Sequence, residues 1–144
     1  MTSELRPFHI AIPVRNIAES RQFYGSLLGF EEGRSVVDWV DWNCYGHQLV
    51  THLNPTLGVD GKVPLHYNGV DGKGVPVPHF GVVLTQQDWE LLAAKLEGQV
   101  DFIIEPYTRF KGETGEQSTL FFLDPSGNAL EFKAFADLAQ LFEK

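Results

Sequence analysis

Phe8-His9-Ile10-Ala11-Ile12-Pro13-Val14 and, in the second half of the chain, His79-Phe80-Gly81-Val82-Val83-Leu84 are the two stretches on which the fold turns. Each is a short β-rich run with a histidine at or beside its start. A helical pattern follows each run: Ile17, Phe23, Tyr24, Leu27 and Leu28 after the first, Trp89, Leu91, Leu92 and Leu96 after the second. Gly29 and Gly98 stand where a left-handed residue ends a helix, while Asn16, and Gln86 with Asp88, precede the helices as capping residues. Three strand candidates come next in both halves. They are Glu32 to Val37, Trp39 to Tyr45 and Gln48 to Leu53, then Phe102 to Glu105, Ser118 to Leu123 and Ala129 to Phe135. The order βαβββ, met twice, is an internal repeat and predicts an α+β chain of two βαβββ modules.

Working outward, module one covers about 5–53 and module two about 79–135. Residues 54–78, rich in Gly, Pro and Asp and containing Val59-Asp60-Gly61-Lys62 and Val70-Asp71-Gly72-Lys73, read as a long linker or lid loop. Tyr107 to Gln117 reads as a second loop, and 136–144 as a short amphipathic C-terminal helix for packing or a dimer surface. A chain of 144 residues with 43% hydrophobic content supports one compact domain with a real core.

A net charge of -8 leaves no basic stripe to follow a phosphate backbone, so nucleic acid is not an expected partner. No apolar run reaches the length of a bilayer span, and the start of the chain lacks the regions of a secretion signal, which predicts a cytoplasmic protein without a membrane partner. Cys44 is the only cysteine, so neither an internal disulfide nor a cysteine-rich zinc cluster can form. Within the apolar run Trp39 to Tyr45 it reads as a small buried hydrophobe.

Strand side chains alternate between faces, so a residue opening each first strand and another on a last strand converge if the sheets curve toward each other. Those residues are His9, His79 and Glu131. Two imidazoles and a carboxylate suit a divalent first-row ion and leave positions open for substrate. One such histidine alone reads as a surface or hydrogen-bonded residue, and Glu131 alone as a solvent-face position. Two histidines in matching places of a repeat favour the ligand reading.

Matching Gly46 to Gly127 places Val50 at the counterpart of Glu131, and valine cannot bind a metal. Gln48 and His52 share its predicted face and are candidates for a fourth ligand. Arg109 has the planar fork that clamps a carboxylate or phosphonate, and Tyr107 can position an oxygen; the alternative for both is a solvated loop. Phe121, Trp39 and Trp42 read as core or pocket wall.

These stretches, together with Phe23-Tyr24 through Leu28-Gly29-Phe30, Pro78-His79-Phe80-Gly81 and Phe122-Leu123-Asp124-Pro125-Ser126-Gly127-Asn128-Ala129-Leu130-Glu131-Phe132, resemble the vicinal oxygen chelate superfamily. That group includes glyoxalases, fosfomycin-resistance proteins, methylmalonyl-CoA epimerases and extradiol dioxygenases. The resemblance covers nearly the whole chain. It implies paired modules in an open, curved mixed sheet, with one divalent metal in the cleft and a small-molecule substrate that chelates it through adjacent oxygens. Relatives are commonly homodimers, and the modules pair within one chain or across the dimer.

Members resembling glyoxalase I carry a glutamate at the place of Val50 for proton transfer, so that activity is disfavoured. The three-ligand set favours Fe(II) and an extradiol-type dioxygenase. The extradiol signature would place a tyrosine at Phe121 and a histidine within 112–114, and neither is present; His66, Tyr67, Tyr107 or Arg109 would then supply acid-base help. A second expectation is a non-redox lyase, isomerase or thiol transferase using Mn(II), Ni(II) or Zn(II). A third is a drug-sequestering protein, as in bleomycin-binding relatives, against which the intact triad argues.

Overall fold

The computed structural model describes residues 4–144. The chain divides into two compact units, one ending at Val63 and the other beginning at Pro64. The first contains β1 (His9–Val14), a helix, β2 (Glu31–Val36), β3 (Trp39–Cys44) and β4 (His47–Leu53). Its four-stranded sheet has the order β1-β4-β3-β2, with β1 parallel to β4 and the other neighbours antiparallel.

The helix starts as α1 (Ile17–Ser20), capped by Asn16, whose side chain accepts from the Glu19 N–H, and continues as a wider π coil over Arg21–Leu27. Gly25 explains how this coil lies so close to the sheet, because a Cβ there would sit 3.1 Å from the Trp42 ring. Alternation does the rest. Val40, Trp42, Leu49 and Thr51 are buried beneath the helix with Tyr24, whereas His9, Gln48 and His52 stand exposed on the other face. Gly29, at φ 77°, ends the helix as expected. Burial also pushes the Cys44 thiol up to about 12, so the lone cysteine is an inert core residue.

The second unit repeats the topology. A first strand broken into β7 (His79–Phe80) and β8 (Val83–Leu84) leads to α2 (Gln86–Leu96), then β9 (Phe102–Arg109), β10 (Gln117–Leu123) and β11 (Ala129–Phe135). β7 and β8 both pair in parallel with β11, and β11, β10 and β9 follow antiparallel. The even-numbered residues Leu120, Phe122, Leu130, Phe132 and Ala134 are fully buried, and α2 offers Trp89, Leu92 and Leu96 as its buried side chains. Trp89 donates from its indole to the Phe132 carbonyl at 3.0 Å, pinning the helix beside Glu131. The cap of α2 is Thr85, not Gln86 or Asp88: the Thr85 hydroxyl accepts from the Asp88 N–H, since an N-cap must bond the residue three places on.

Three further sequence expectations need correction. Residues 54–78 are not one loop: β5 (His66–Val70) and β6 (Lys73–Val77) form an antiparallel hairpin within the second unit. Its two-residue turn, Asp71 at φ 50° and Gly72 at φ 79°, has the double positive φ that matches the twist of a hairpin. Tyr107 and Arg109 lie on a strand, because β9 runs on to Arg109. The tail is a single 3-10 turn, Leu138–Gln140, capped by Asp137. Leu138 and Phe142 are 63% and 89% exposed, so these two apolar side chains bury little surface that could stabilise a longer helix.

Candidate functional site

The odd-numbered face of β10 and β11, turned away from α2, carries Thr119, Phe121, Glu131 and Lys133. Its central residue is fixed by a chain of local causes. The turn Asp124-Pro125-Ser126-Gly127-Asn128 is closed by the buried Asp124 carboxylate, which accepts from the Ser126 and Asn128 backbone N–H groups at 2.9 and 2.8 Å and from the Asn128 amide at 2.9 Å. Gly127 takes the positive φ of 86° that this turn demands. The register that follows sets Glu131 opposite Phe121 and Ala129 beside His79.

Gly81 then explains the break in the first strand. A Cβ there would overlap the Glu131 carbonyl oxygen, so only glycine lets the chain pass so close.

His79 and Glu131 meet, with the imidazole Nε2 3.2 Å from Glu131 Oε1. The other ring nitrogen, Nδ1, donates to the Pro76 carbonyl at 2.6 Å, and because a carbonyl only accepts, this fixes the proton on Nδ1. Glu131 Oε2 accepts from the Thr119 hydroxyl at 2.6 Å. The hydrogen bond that the protonated Nε2 donates to the Glu131 carboxylate raises the His79 pKa against the opposing effect of burial. Burial alone would raise Glu131, but the His79 and Thr119 hydrogen bonds and the Lys133 charge outweigh it and hold the carboxyl below its ordinary range. Phe121, 4% exposed, stands edge-on to the His79 ring with centroids 5.0 Å apart.

A β-bulge brings in the remaining wall. Tyr107 pairs with Thr119 and Ile104 with Phe121, so β9 spends three residues where β10 spends two. Residues three apart on a regular strand would face opposite ways; the extra residue beside Pro106 puts Ile104, Tyr107 and Arg109 all on the site's face. Burial and the Glu131 charge push the Tyr107 phenol up, keeping it a proton-bearing donor. The hairpin adds Val75, packed with Ile104 and Phe121, and Lys73, whose ammonium lies 4.8 Å from the centre of the Tyr107 ring. Together these enclose a cavity of about 170 Å³.

In the first unit, His9 donates from Nδ1 to the Gln48 side-chain oxygen at 2.7 Å, so Nε2 is the nitrogen left with its lone pair. Val50, 5% exposed, sits two residues along on the same face. Beside them lies a depression of about 420 Å³ lined by Glu31, Asp41, Asn43 and Gln48 among others.

The structure thus unites His79, Glu131, Tyr107, Arg109 and Phe121 in one cavity and places His9 and Gln48 as a bonded pair in the first unit. Among the described residues no group of three or more His, Cys, Asp or Glu side chains gathers as a metal cluster. The other candidates have local roles. His52 lies obliquely near Trp39, His66 bonds Asn68, and Tyr67 is 49% exposed on the hairpin. Thr119, Lys133 and Lys73 were not singled out from the sequence. Counting alternate residues from Glu131 and across to β10 would have found the first two.

Taken one by one, the donors have the chemistry of ligands to a divalent ion. Two imidazoles have Nδ1 engaged by a neighbour, as metal-binding histidines do, and the carboxylate is oriented by a hydroxyl. A family model described as Glyoxalase/Bleomycin resistance protein/Dioxygenase superfamily matches residues 6–132. Among solved structures, a glyoxalase/bleomycin resistance protein/dioxygenase from Alicyclobacillus acidocaldarius is 29% identical, covering 98% of this chain and 99% of that one, with a TM-score of 0.76. Lactoylglutathione lyase from Agrobacterium tumefaciens, 15% identical, aligns over 99% and 100% of the two chains at a TM-score of 0.63. The fosfomycin resistance protein FosX from Listeria monocytogenes, 13% identical, aligns over 97% and 98% at 0.62. At those two identities the likeness is one of fold. No curated protein matches the chain significantly.

Proposed function

We propose a function on one premise: this chain belongs to the Glyoxalase/Bleomycin resistance protein/Dioxygenase superfamily. It is a metal-dependent enzyme whose small-molecule substrate chelates the ion through adjacent oxygens, working as a homodimer. His9, His79 and Glu131 are the ligands. The observation that carries this reading is the His79–Glu131 pair, at 3.2 Å with the imidazole proton fixed on the far nitrogen. Gln48, proposed from sequence as a fourth ligand, is better read as the residue that orients His9, since its oxygen is engaged by that ring.

Two histidines and a carboxylate with open positions favour Fe(II) and extradiol-type ring cleavage. When bound, the ion supplies acidification of the chelating diol and activation of dioxygen. The protein's own groups do the remaining work. Pro76 and Thr119 hold the two ligands of the second unit in orientation. Val75, Ile104 and Phe121 exclude water from one wall of the cavity. Tyr107, kept protonated by its surroundings, donates a hydrogen bond to a substrate oxygen. A second reading, a non-redox lyase, isomerase or thiol transferase, is favoured by Phe121 itself: the side chain packed on His79 can neither donate nor accept a proton.

Protein purified without oxygen is expected to carry iron and to consume O₂ with catechols, and His79→Ala to lose the metal. No uptake across a panel of diols, with turnover of a hydroxy ketone or thioester restored by Mn(II), Ni(II) or Zn(II), would assign the second reading. Full metal content in His79→Ala would remove the ligand set altogether.

A further inference from the structure

The chain carries a net charge of -8, yet the cavity beside His79 and Glu131 is lined by Lys73, Arg109 and Lys133. Glu131, the one carboxylate among the lining residues, is taken up by His79 and Thr119. A cation-lined recess in an acidic protein focuses an attractive potential on anions.

Arg109 is held in an unfinished way. Its Nη2 pairs with Asp71 Oδ2 from the hairpin turn, and its plane lies over the Phe110 ring with 5.0 Å to the centre. Its Nε is buried and has no hydrogen-bond partner. A buried N–H left unbonded costs the desolvation of that donor, and native structures rarely leave one without a purpose. Nε and Nη2 form one edge of the guanidinium, the edge that two oxygens of a carboxylate or phosphonate satisfy together. Asp71, with a side chain 50% exposed, uses half of that edge.

We propose that the cavity takes a substrate bearing an anionic oxygen group, carboxylate or phosphonate, beside its chelating oxygens, and that this group binds Arg109 through Nε and Nη2 in exchange for Asp71. Lys133, two residues beyond Glu131 on the same face, supplies the second charge. Asp71 is then an internal competitor whose release frees the hairpin turn as the anion enters. The proposal rests on the metal-dependent reading for the chelating part of the substrate, but the anion subsite belongs to residues of the second unit alone.

The test uses two probes on the full chain. Inorganic phosphate is titrated into EDTA-treated, ¹⁵N-labelled protein while the Arg109 Nε–H resonance is followed. A saturable shift is expected, tightened several-fold in Asp71→Asn and weakened roughly tenfold in Lys133→Gln, the size of one lost charge contact. A resonance that stays put, or an Asp71→Asn protein that binds no better, overturns the proposal, and neither variant disturbs a core residue. In the metal-loaded protein, 3,4-dihydroxybenzoate should bind roughly tenfold more tightly than catechol, and Arg109→Gln should erase the difference. Equal affinity for the two diols, both metal-dependent, would sink the anion subsite and leave the metal reading standing. A phosphate shift at Arg109 with no metal-dependent diol binding would do the reverse.

Discussion

His79 and Glu131 stabilise each other through ionisation, and the signs of their shifts define a pH window. The His79 pKa is raised above its ordinary 6.5, so its contribution is complete below 6.5 and is lost as pH climbs through the raised value. The Glu131 pKa is lowered from its ordinary 4.5, so its contribution is complete above 4.5 and is lost as pH falls through the lowered value. Both are at full strength only between those two ordinary values. In EDTA-treated protein, Glu131→Gln should therefore cost about 1.5–3 kcal/mol of stability near pH 5.5, the range for a hydrogen bond to a charged group. The gap to the parent should narrow at pH 9 and again below pH 3. Urea unfolding at several pH values checks this, and a difference independent of pH would mean that the pair does not ionise as described. The second imidazole proton, on the Nε2 that faces Glu131, must leave before a metal can bind there, so metal affinity should fall with acid. Of these residues, His79 is legible in the sequence because the repeat matches it to His9, and Glu131 because it lies on the last strand in the stretch that carries the resemblance. Thr119 is not, since one threonine in an apolar strand carries no signal until its partner across the ladder is known.

At the scale of elements, the strands of both modules could be read because alternation and the repeat agree, and β11 has the predicted bounds, Ala129–Phe135. The hairpin 66–77 escaped that reading although Asp71-Gly72 is a strong turn signal. Its flanks hold Gly69, Gly74, Pro76 and Pro78, a composition that argues for loop on average. The bulge beside Pro106 escaped for a related reason. Proline within a β pattern marks an irregularity without saying which face the following residues will take. Gly81 shows what such local devices do for the site. Gly81→Ala forces a Cβ into the Glu131 carbonyl, backbone that cannot yield without moving β11. It should lower stability by about 1–3 kcal/mol, as overpacking does, and weaken metal binding with it. Gly74→Ala is the matched control, since its Cβ would meet only Tyr67 at an ordinary 3.9 Å and its φ is not positive. An alanine at 81 with parental stability and metal affinity would show that the close approach has no bearing on Glu131.

For the whole molecule, the proposed ligand set makes a prediction because its members are divided between the units. His9 belongs to the unit ending at Val63, and His79 and Glu131 to the unit beginning at Pro64. If one ion binds all three, as proposed, the stability of both units should depend on it. Metal at a hundredfold excess over Kd adds about 2.7 kcal/mol by mass action, which for a chain of this size is a rise in Tm of roughly 5–10 °C. His9→Ala should abolish most of that rise, to the same degree as His79→Ala, although the two substitutions lie in different units. Gln48→Ala should lower it in part, because the His9 ring loses the bond that fixes its tautomer while keeping its Nε2 lone pair. Thermal scans of the three variants with and without Mn(II) separate the possibilities. A full metal-dependent rise in His9→Ala beside none in His79→Ala would confine the ion to the second unit, with Glu131 and the oxygen groups of Thr119 and Tyr107 as its remaining surroundings. Equal loss in both would mean that one ion answers to both halves of the repeat, as the proposed ligand set requires.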